Sequence, residues 1–191
     1  MAYIDTINEI IDLFNKYGAS DYIGENITQT EHMVQAAMFA EDNGEDLDMI
    51  VAALLHDIGH LLEINNKDKQ MADLGVTNHE LVAKEYLLSK NFTEKTACLV
   101  GNHVSAKRYL VSKYDQYYDN LSEASKKTLL LQNGKMNNKE MLEFETDPYF
   151  KESLRLRGYD DQAKIVNYKI KPLSYFREIL IKYFSLVIIS P

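Results

Sequence analysis

The residues of this chain whose types could support metal chemistry are five histidines, all within the first 103 of its 191 positions. They are His32, His56, His60, His79 and His103. His56 is followed directly by Asp57 at the end of an apolar run, where an unpaired buried carboxylate would be costly. A metal ion would offset that cost, and a carboxylate can bridge two ions where an imidazole cannot.

Three of the histidines, His32, His79 and His103, lie on predicted helices other than the one that carries the His56-Asp57 pair. A helical bundle that points these side chains inward creates a site of nitrogen and oxygen donors without sulfur. Such a donor set suits iron, manganese or zinc rather than calcium, and two ions about 3.5–4 Å apart would be an ordinary dinuclear arrangement. Any one histidine alone is more simply explained as a hydrogen-bonded core residue, so the inference depends on the whole set.

Helical periodicity dominates the chain and predicts the elements that position these side chains. A first apolar stripe ends near Gly18, and capping boxes at Thr28 and Thr77 predict two later helix starts. Single capping residues predict further starts at Asp46, Thr93 and Ser122. Other helices are expected at 137–146, 148–157 and 172–183.

Two of these segments carry specific expectations. The helix that begins at Thr77 is expected to bury Leu81, Val82 and Leu88. The segment 164–170 is the only weak strand candidate. The predicted fold class is therefore all-α, a single helical bundle over residues 1–191, since the length favours one domain.

Composition narrows the class of protein further. The net charge of −8 argues against nucleic-acid binding by phosphate neutralisation. The apolar run at 49–55 is far too short to span a membrane, and no secretory signal is visible at the N-terminus. A single cysteine, Cys98, excludes an internal disulfide and a thiolate metal cluster. A cytoplasmic protein without nucleic-acid or membrane partners is therefore expected.

The order of the histidines and aspartates, H…HDIGH…H…H…D, resembles the HD-domain superfamily, which is named after its adjacent His-Asp pair. The additional His79 and His103 resemble its dinuclear branch. Four segments also resemble the mixed-valent di-iron oxygenases that convert 2-amino-1-hydroxyethylphosphonate to glycine. They are DYIGE from Asp21, HVSAKRYLVS from His103, LSEASKKT from Leu121 and RLRGYD from Arg155. The resemblance spans most of the chain.

This resemblance implies two iron ions in a mixed-valent Fe(II)/Fe(III) pair, with Asp57 bridging them. The implied ligands are His32, His56, Asp57 and Asp160 for one iron, and Asp57, His79 and His103 for the other. Asp160 is preferred to the adjacent Asp161 because it directly follows the Arg-Gly-Tyr of its segment. His60 follows His56 by four residues, so a direct ligand role is open to it, but orienting a ligand is the preferred expectation.

Two cations and two hydroxyls could supply the charge-assisted donors that a phosphonate dianion needs. They are Lys107, Ser125, Thr128 and Arg157. Lys107 follows His103 by one helical turn, so both can point into one cavity. Each residue taken alone could equally be solvated surface. The resemblance adds Tyr22, expected to occupy an iron position until substrate arrives, and Glu25, expected to recognise the substrate amine.

The activity implied by the resemblance is O2-dependent cleavage of a C–P bond, with an organophosphonate and O2 as the small-molecule partners. The alternatives are an HD-type metal-dependent phosphohydrolase, an oxygenase for an N-methylated hydroxyphosphonate, and a metal-stabilised helical binding protein without catalysis.

Residues 63–78 are expected to form a lid or a plain loop. The apolar end at 185–191 is expected to pack on the domain, mediate self-association or extend as a tail. The sequence predicts no oligomeric state.

Overall fold

The computed structural model describes residues 2–22, 24–66 and 76–189, and within them the chain forms eleven helices. Strand pairing in these residues is confined to isolated bridges, such as the one between Asp21 and Thr28. The all-α fold class is therefore confirmed. In chain order the helices are α1 (Ala2–Tyr17), α2 (Gln29–Asp42), α3 (Leu47–Leu55), α4 (Ile58–Leu62), α5 (His79–Ser89), α6 (Glu94–Lys113), α7 (Asp115–Asn120), α8 (Glu123–Leu131), α9 (Asn138–Glu145), α10 (Phe150–Gln162) and α11 (Leu173–Ile189).

Side-chain caps set the starts of five described helices: Asn137 forms a capping box at α9, and the other four caps are the capping residues named from the sequence. The Thr28 hydroxyl accepts a hydrogen bond from the Glu31 N–H, and the Glu31 carboxylate accepts one from the Thr28 N–H, which completes a capping box. Asp46, Thr93 and Ser122 each accept a hydrogen bond from the backbone N–H three residues later. These four predicted helix starts are confirmed.

Two predicted local features are wrong. Helix α5 begins at His79 rather than near Thr77, and Asn78 precedes it in the left-handed region (φ 54°) without a side-chain cap. The segment 164–170 is a loop rather than a strand. Its backbone pairs with a side chain instead of a neighbouring strand, because the Ile165 N–H donates to Gln35 and the Gln35 amide donates to the Ile165 carbonyl.

The buried face of α5 also differs from the prediction. Leu81 and Leu88 are 49% and 45% exposed, whereas Ala83 and Leu87 are fully buried. The buried stripe starts at His79 and repeats every four residues. It follows that α5 is oriented by the inward direction of this histidine rather than by its largest apolar side chains.

The main apolar core surrounds α3, in which residues 49–55 are all buried. Helices α2, α6, α10 and α11 contact it, and α1 adds Ile7, Ile10 and Phe14 to the same core. Because α3 has no solvent-exposed face over this stretch, His56 and Asp57, which follow it directly, enter the interior of the protein.

A smaller apolar cluster fixes α8 against the C-terminal half of α6. Val111, Leu121 and Leu129 are its buried members, and Tyr117 of α7 packs against them. This contact places one face of α8 beside the middle of α6, which is where the predicted anion-binding residues meet.

Two segments of uncertain role are only partly covered by the described residues. Helix α4 ends at Leu62, and residues 67–75 of the 63–78 segment lie outside the described part of the chain. The apolar end is helical through Ile189, with Leu186 half-exposed and Val187 packed against the core. The described helices include none with the length and hydropathy of a membrane-spanning segment.

Candidate active site

Six buried side chains from five parts of the fold meet in one polar cluster, here called the histidine–aspartate cluster. Its members are His32 of α2, His56 and Asp57 between α3 and α4, His79 of α5, His103 of α6 and Asp160 of α10. None of the six is more than 4% exposed. Groups of this kind are rarely buried together unless they pair with one another or hold a metal.

The imidazoles form two close pairs. The Nε2 atoms of His32 and His56 lie 3.0 Å apart, and Asp160 Oδ1 lies 3.3 Å from the first and 3.9 Å from the second. The Nε2 atoms of His79 and His103 also lie 3.0 Å apart. The cluster therefore has two halves, each built on one imidazole pair.

Asp57 lies between the two halves. Its Oδ2 is 3.6 Å from His32 Nε2 and 3.5 Å from His56 Nε2. Its Oδ1 is 3.3 Å from His79 Nε2 and 3.4 Å from His103 Nε2. Each carboxylate oxygen thus faces one imidazole pair, which is the arrangement that a bridging carboxylate requires.

Backbone carbonyls fix the tautomer of all four imidazoles. Each Nδ1 faces a carbonyl oxygen at 2.7–3.2 Å and donates to it, which leaves the Nε2 lone pair directed into the cluster. The accepting carbonyls are those of Ala163, Ala53, Val76 and Val100. Two facing lone pairs 3.0 Å apart repel each other unless a cation lies between them. The donor set therefore fits a pair of metal ions.

The electrostatics of the cluster are consistent with this. Burial lowers the pKa of His56 to about 4, so its imidazole is neutral and able to bind a metal at ordinary pH. Burial also opposes ionisation of Asp57, but the neighbouring imidazoles of His56, His103 and His79 hold the pKa of its carboxyl well below the usual value. Without metal, a proton on His79 can take the place of the cation. Burial lowers the pKa of His79, but the Asp57 carboxylate outweighs burial and raises it.

His60 lies beside the cluster and differs from its members. Its Nδ1 accepts a hydrogen bond from the Val76 N–H at 3.0 Å, so the neutral ring carries its proton on Nε2 and has no free lone pair there. Its ring stacks on that of His79 with centroids 4.0 Å apart. Burial and the neighbouring His79 hold the pKa of His60 well below its usual value. This geometry favours orienting His79 over binding metal.

Gly59 allows this close packing. A Cβ atom on Gly59 would lie 2.1 Å from the carbonyl oxygen of His79, closer than any real contact. The glycine of the HDIGH segment is therefore required where α4 passes the first residue of α5.

The four predicted anion-binding residues, here called the anion cradle, lie beside the cluster. They are Lys107, Ser125, Thr128 and Arg157. A central cavity of about 50 Å³ is lined by these residues on one side and by Asp57, His79 and His103 on the other. The Lys107 ammonium donates to the Thr128 hydroxyl at 3.1 Å, and burial, with Arg157 nearby, lowers the pKa of Lys107 to about 7.

Arg157 connects the cradle to the cluster. Its Nη1 donates to Asp160 Oδ2 at 2.7 Å, its Nη2 donates to Asp161, and its Nε donates to the Tyr117 hydroxyl at 3.0 Å. Although burial opposes ionisation, Arg157 keeps the pKa of Asp160 well below its usual value. Arg157 thus occupies one oxygen of Asp160 and leaves the other facing the imidazoles.

The two residues predicted to sense the substrate lie in different places. The Tyr22 ring lines the central cavity and stacks on His32 with centroids 3.8 Å apart, and burial, followed by the Asp160 charge, raises the pKa of its hydroxyl. Glu25 lies outside this cavity. It lines a second cavity of about 370 Å³, here called the outer cavity, together with Tyr117, Asp161 and Lys164.

The sequence reasoning missed three polar residues at these cavities. Gln132 lines the central cavity, and its buried Oε1 has no hydrogen-bond partner among the described residues. It lies four residues after Thr128, so the helical period could have found it. Tyr117 and Lys164 contact cradle residues from α7 and from the loop after α10, where no periodic pattern reaches them.

Known proteins and a family model are similar to most of this chain. The HD domain family matches residues 30–168. Uncharacterized protein L432 of Acanthamoeba polyphaga mimivirus is 56% identical over 182 residues, which cover 95% of this chain and 83% of the relative. The [1-hydroxy-2-(trimethylamino)ethyl]phosphonate dioxygenase (glycine-betaine-forming) of Leisingera caerulea is 40% identical over 152 residues, which cover 80% of this chain and 76% of that relative. The hydroxymethylphosphonate dioxygenase of Gimesia maris is 36% identical over 176 residues, which cover 90% of this chain and 85% of that relative.

Proposed function

The chain belongs to the HD domain family, and from this premise we propose that it is a di-iron oxygenase that cleaves the C–P bond of 2-amino-1-hydroxyethylphosphonate. The reaction balances with one O2: C1 of the substrate becomes the carboxylate carbon of glycine, and the phosphorus leaves as inorganic phosphate. Two relatives named as phosphonate dioxygenases support this class of reaction.

The observation that carries the proposal is the shared central cavity. The histidine–aspartate cluster lines one side of it and the anion cradle lines the other, so a single small molecule can contact both. A 1-hydroxyphosphonate has the matching chemistry, because its hydroxyl lies one carbon away from a tetrahedral dianion.

Iron bound to the cluster would supply the electrons and the binding positions that O2 chemistry requires. The six cluster residues would hold the two ions, with Asp57 contacting both, and a mixed-valent Fe(II)/Fe(III) pair is part of the proposal. The cradle would then neutralise the phosphonate with two cations and two hydroxyls. Arg157 would keep the phosphonate and Asp160 in a fixed relation, since it contacts the Asp160 carboxylate directly.

Tyr22 and Glu25 would couple substrate entry to the cluster. The Tyr22 ring covers His32 and fills space that a substrate of this size needs beyond the central cavity of about 50 Å³. Displacement of Tyr22 by substrate would free the space in front of the His32 ring. Glu25 would attract the substrate ammonium from the outer cavity.

An N-methylated substrate is a second candidate. One relative is named for the trimethylamino compound, and the outer cavity of about 370 Å³ beside Glu25 has room for more than a primary ammonium. The tyrosine ring of Tyr117 in that cavity could also face a quaternary ammonium.

The decisive experiment is O2 consumption by anaerobically iron-loaded protein given 2-amino-1-hydroxyethylphosphonate, with glycine and phosphate assayed in the same sample. Equal amounts of O2 consumed, glycine and phosphate are expected. The trimethylamino compound and hydroxymethylphosphonate are measured in parallel, so that the preferred substrate is ranked.

Zinc-loaded protein is the matched control, because zinc binds the same donors without redox chemistry. It should consume no O2. Hydrolysis of a phosphate monoester by iron- and zinc-loaded protein alike, without O2 uptake on any phosphonate, would identify a phosphohydrolase and overturn the proposal.

A further inference from the structure

The four residues predicted for the anion cradle do not supply enough unpaired positive charge to neutralise a phosphonate dianion. A phosphonate dianion needs about two positive charges close to it. Arg157 carries one, but its guanidinium already pairs with the carboxylates of Asp160 and Asp161. Of the two cations among the four predicted residues, Lys107 is the one that has no ion-pair partner in the described part of the chain.

Lys164 is a cation that the fold brings to the same place. It lies two residues after the end of α10, and its Nζ donates to the Ser125 hydroxyl at 3.0 Å. Lys107 makes the equivalent contact with Thr128 at 3.1 Å. Each hydroxyl of the cradle is therefore held by its own lysine, and the two hydroxyls lie three residues apart on one face of α8.

The contact also determines how Ser125 can behave. Because its oxygen accepts from Lys164, the hydroxyl proton is directed away from this lysine and is available to an acceptor in the central cavity, which Ser125 lines. A hydroxyl that accepts from a cation is a stronger donor, since hydrogen bonds in a chain polarise one another. Thr128 differs, because its hydroxyl already donates to the Ser125 carbonyl.

Lys164 is electrostatically coupled to the cradle and has no ion-pair partner among the described residues. Its charge helps to lower the pKa of Lys107, after burial and Arg157. Glu25 and Asp161 line the outer cavity with Lys164, but neither forms a salt bridge with it in the described part of the chain. Its charge therefore remains available to an anion.

We propose that Lys164 is the third cation of the anion cradle and that it acts on a bound phosphonate or phosphate through the Ser125 hydroxyl. It is a positioning residue, because it lines the outer cavity and, among the described residues, reaches the lining of the central cavity through Ser125. This inference rests on the proposed function in one respect, that the cradle holds a tetrahedral anion.

The test is calorimetric binding of inorganic phosphate to zinc-loaded protein, which measures the cradle without turnover. Lys164→Met should weaken binding by about tenfold or more, the size expected for a hydrogen bond to a charged group. Lys164→Arg should restore most of the affinity. The matched control is Lys169→Met, an exposed lysine of the same loop, which should bind phosphate as wild type does.

A double variant tests the route through Ser125. If Lys164 acts through this hydroxyl, Lys164→Met should add little to the loss caused by Ser125→Ala. Fully additive losses would overturn that route. Two zinc ions per chain in every variant would exclude a merely structural effect, and loss of zinc in both Lys164→Met and Lys164→Arg would overturn the cradle role.

The inference and the proposed function can fail separately. Unchanged phosphate affinity in Lys164→Met would overturn the role of Lys164, whatever the O2 assay shows. Weakened phosphate binding without O2 uptake on any phosphonate would support the role of Lys164 and overturn the oxygenase.

Discussion

The histidine–aspartate cluster and the anion cradle touch the same cavity but are held in different ways. Each imidazole of the cluster is fixed by a hydrogen bond from its Nδ1 to a backbone carbonyl. The cradle is held by contacts between side chains, at the ends of long lysine and arginine stems. The four imidazoles are therefore oriented by the backbone of the fold, whereas the cradle side chains are oriented mainly by one another.

This difference offers a physical reason for variety among related enzymes. A cluster fixed by backbone atoms keeps its donors wherever the fold is kept. A cradle of side chains can change the anion or its substituent without moving the four imidazoles, although Arg157 ties the cradle to Asp160. The two phosphonate dioxygenases among the relatives are named for different substrates, which agrees with this division.

The largest effect is expected from a substitution in the histidine–aspartate cluster. Asp57→Asn keeps the shape of the side chain but removes its charge and replaces one acceptor oxygen with an NH2 group facing an imidazole pair. We expect metal content to fall below two ions per chain and O2 uptake to fall by more than about a hundredfold. Elemental analysis and an oxygen electrode measure the two together.

The control for this variant is Asp161→Asn, the same change in a carboxylate that contacts Arg157 rather than the imidazoles. It should keep both metal ions. An Asp57→Asn protein with two metals and full turnover would show that Asp57 does not bridge them.

The next largest effect is expected from a substitution in the anion cradle, and it should leave the metal ligands unchanged. Lys107→Ala removes a buried cation from the cradle, and we expect the KM for the phosphonate to rise about ten- to a hundredfold with metal content unchanged. Lys107→Met, which replaces most of the lost volume, separates the charge from the packing. Loss of metal from both variants would show that the two regions are not independent.

Local patterns pointed to the histidines and Asp57 of the cluster, whereas Asp160 was identified only through the resemblance of its segment to a known family. Capping residues mark the starts of α2 and α6, and the HDIGH segment directly follows an apolar helix. Helical periodicity then points the side chains of His32 and His103 inward. The fold class follows from the same periodicity.

The cradle was only partly predictable, because its supporting contacts link distant segments. Lys164 reaches Ser125 across 39 positions, from a loop whose backbone is held by Gln35 rather than by any regular element. The left-handed Asn78 before α5 is likewise a tertiary feature, since the helix start is set by where His79 must lie. Propensity and capping patterns do not carry this information.

Titration of the cradle gives a smaller and graded effect. Burial lowers the pKa of Lys107 to about 7, so the ammonium is present below that pH and is lost above it. We expect the KM for the phosphonate to rise, by roughly up to tenfold, as pH increases from about 6 to about 8. Lys107→Arg should flatten this dependence, because an arginine stays charged throughout and the substrate titrates identically with both proteins. Parallel pH profiles for the two proteins would contradict the assignment.

The smallest effect is expected from a substitution in the outer cavity, beside the anion cradle. Glu25 lies in the outer cavity, and its buried Oε1 has no hydrogen-bond partner among the described residues, so a cationic substituent could supply one. Glu25→Ala and the isosteric Glu25→Gln should raise the KM for 2-amino-1-hydroxyethylphosphonate by roughly three- to tenfold. Neither should change the KM for hydroxymethylphosphonate, which has no amine. Glu123→Ala, an exposed acid of the adjacent α8, is the control for a general charge effect. Equal losses on both substrates would mean that Glu25 has a structural role between α1 and α2 rather than recognising the amine, and selectivity would then have to reside in the cradle itself.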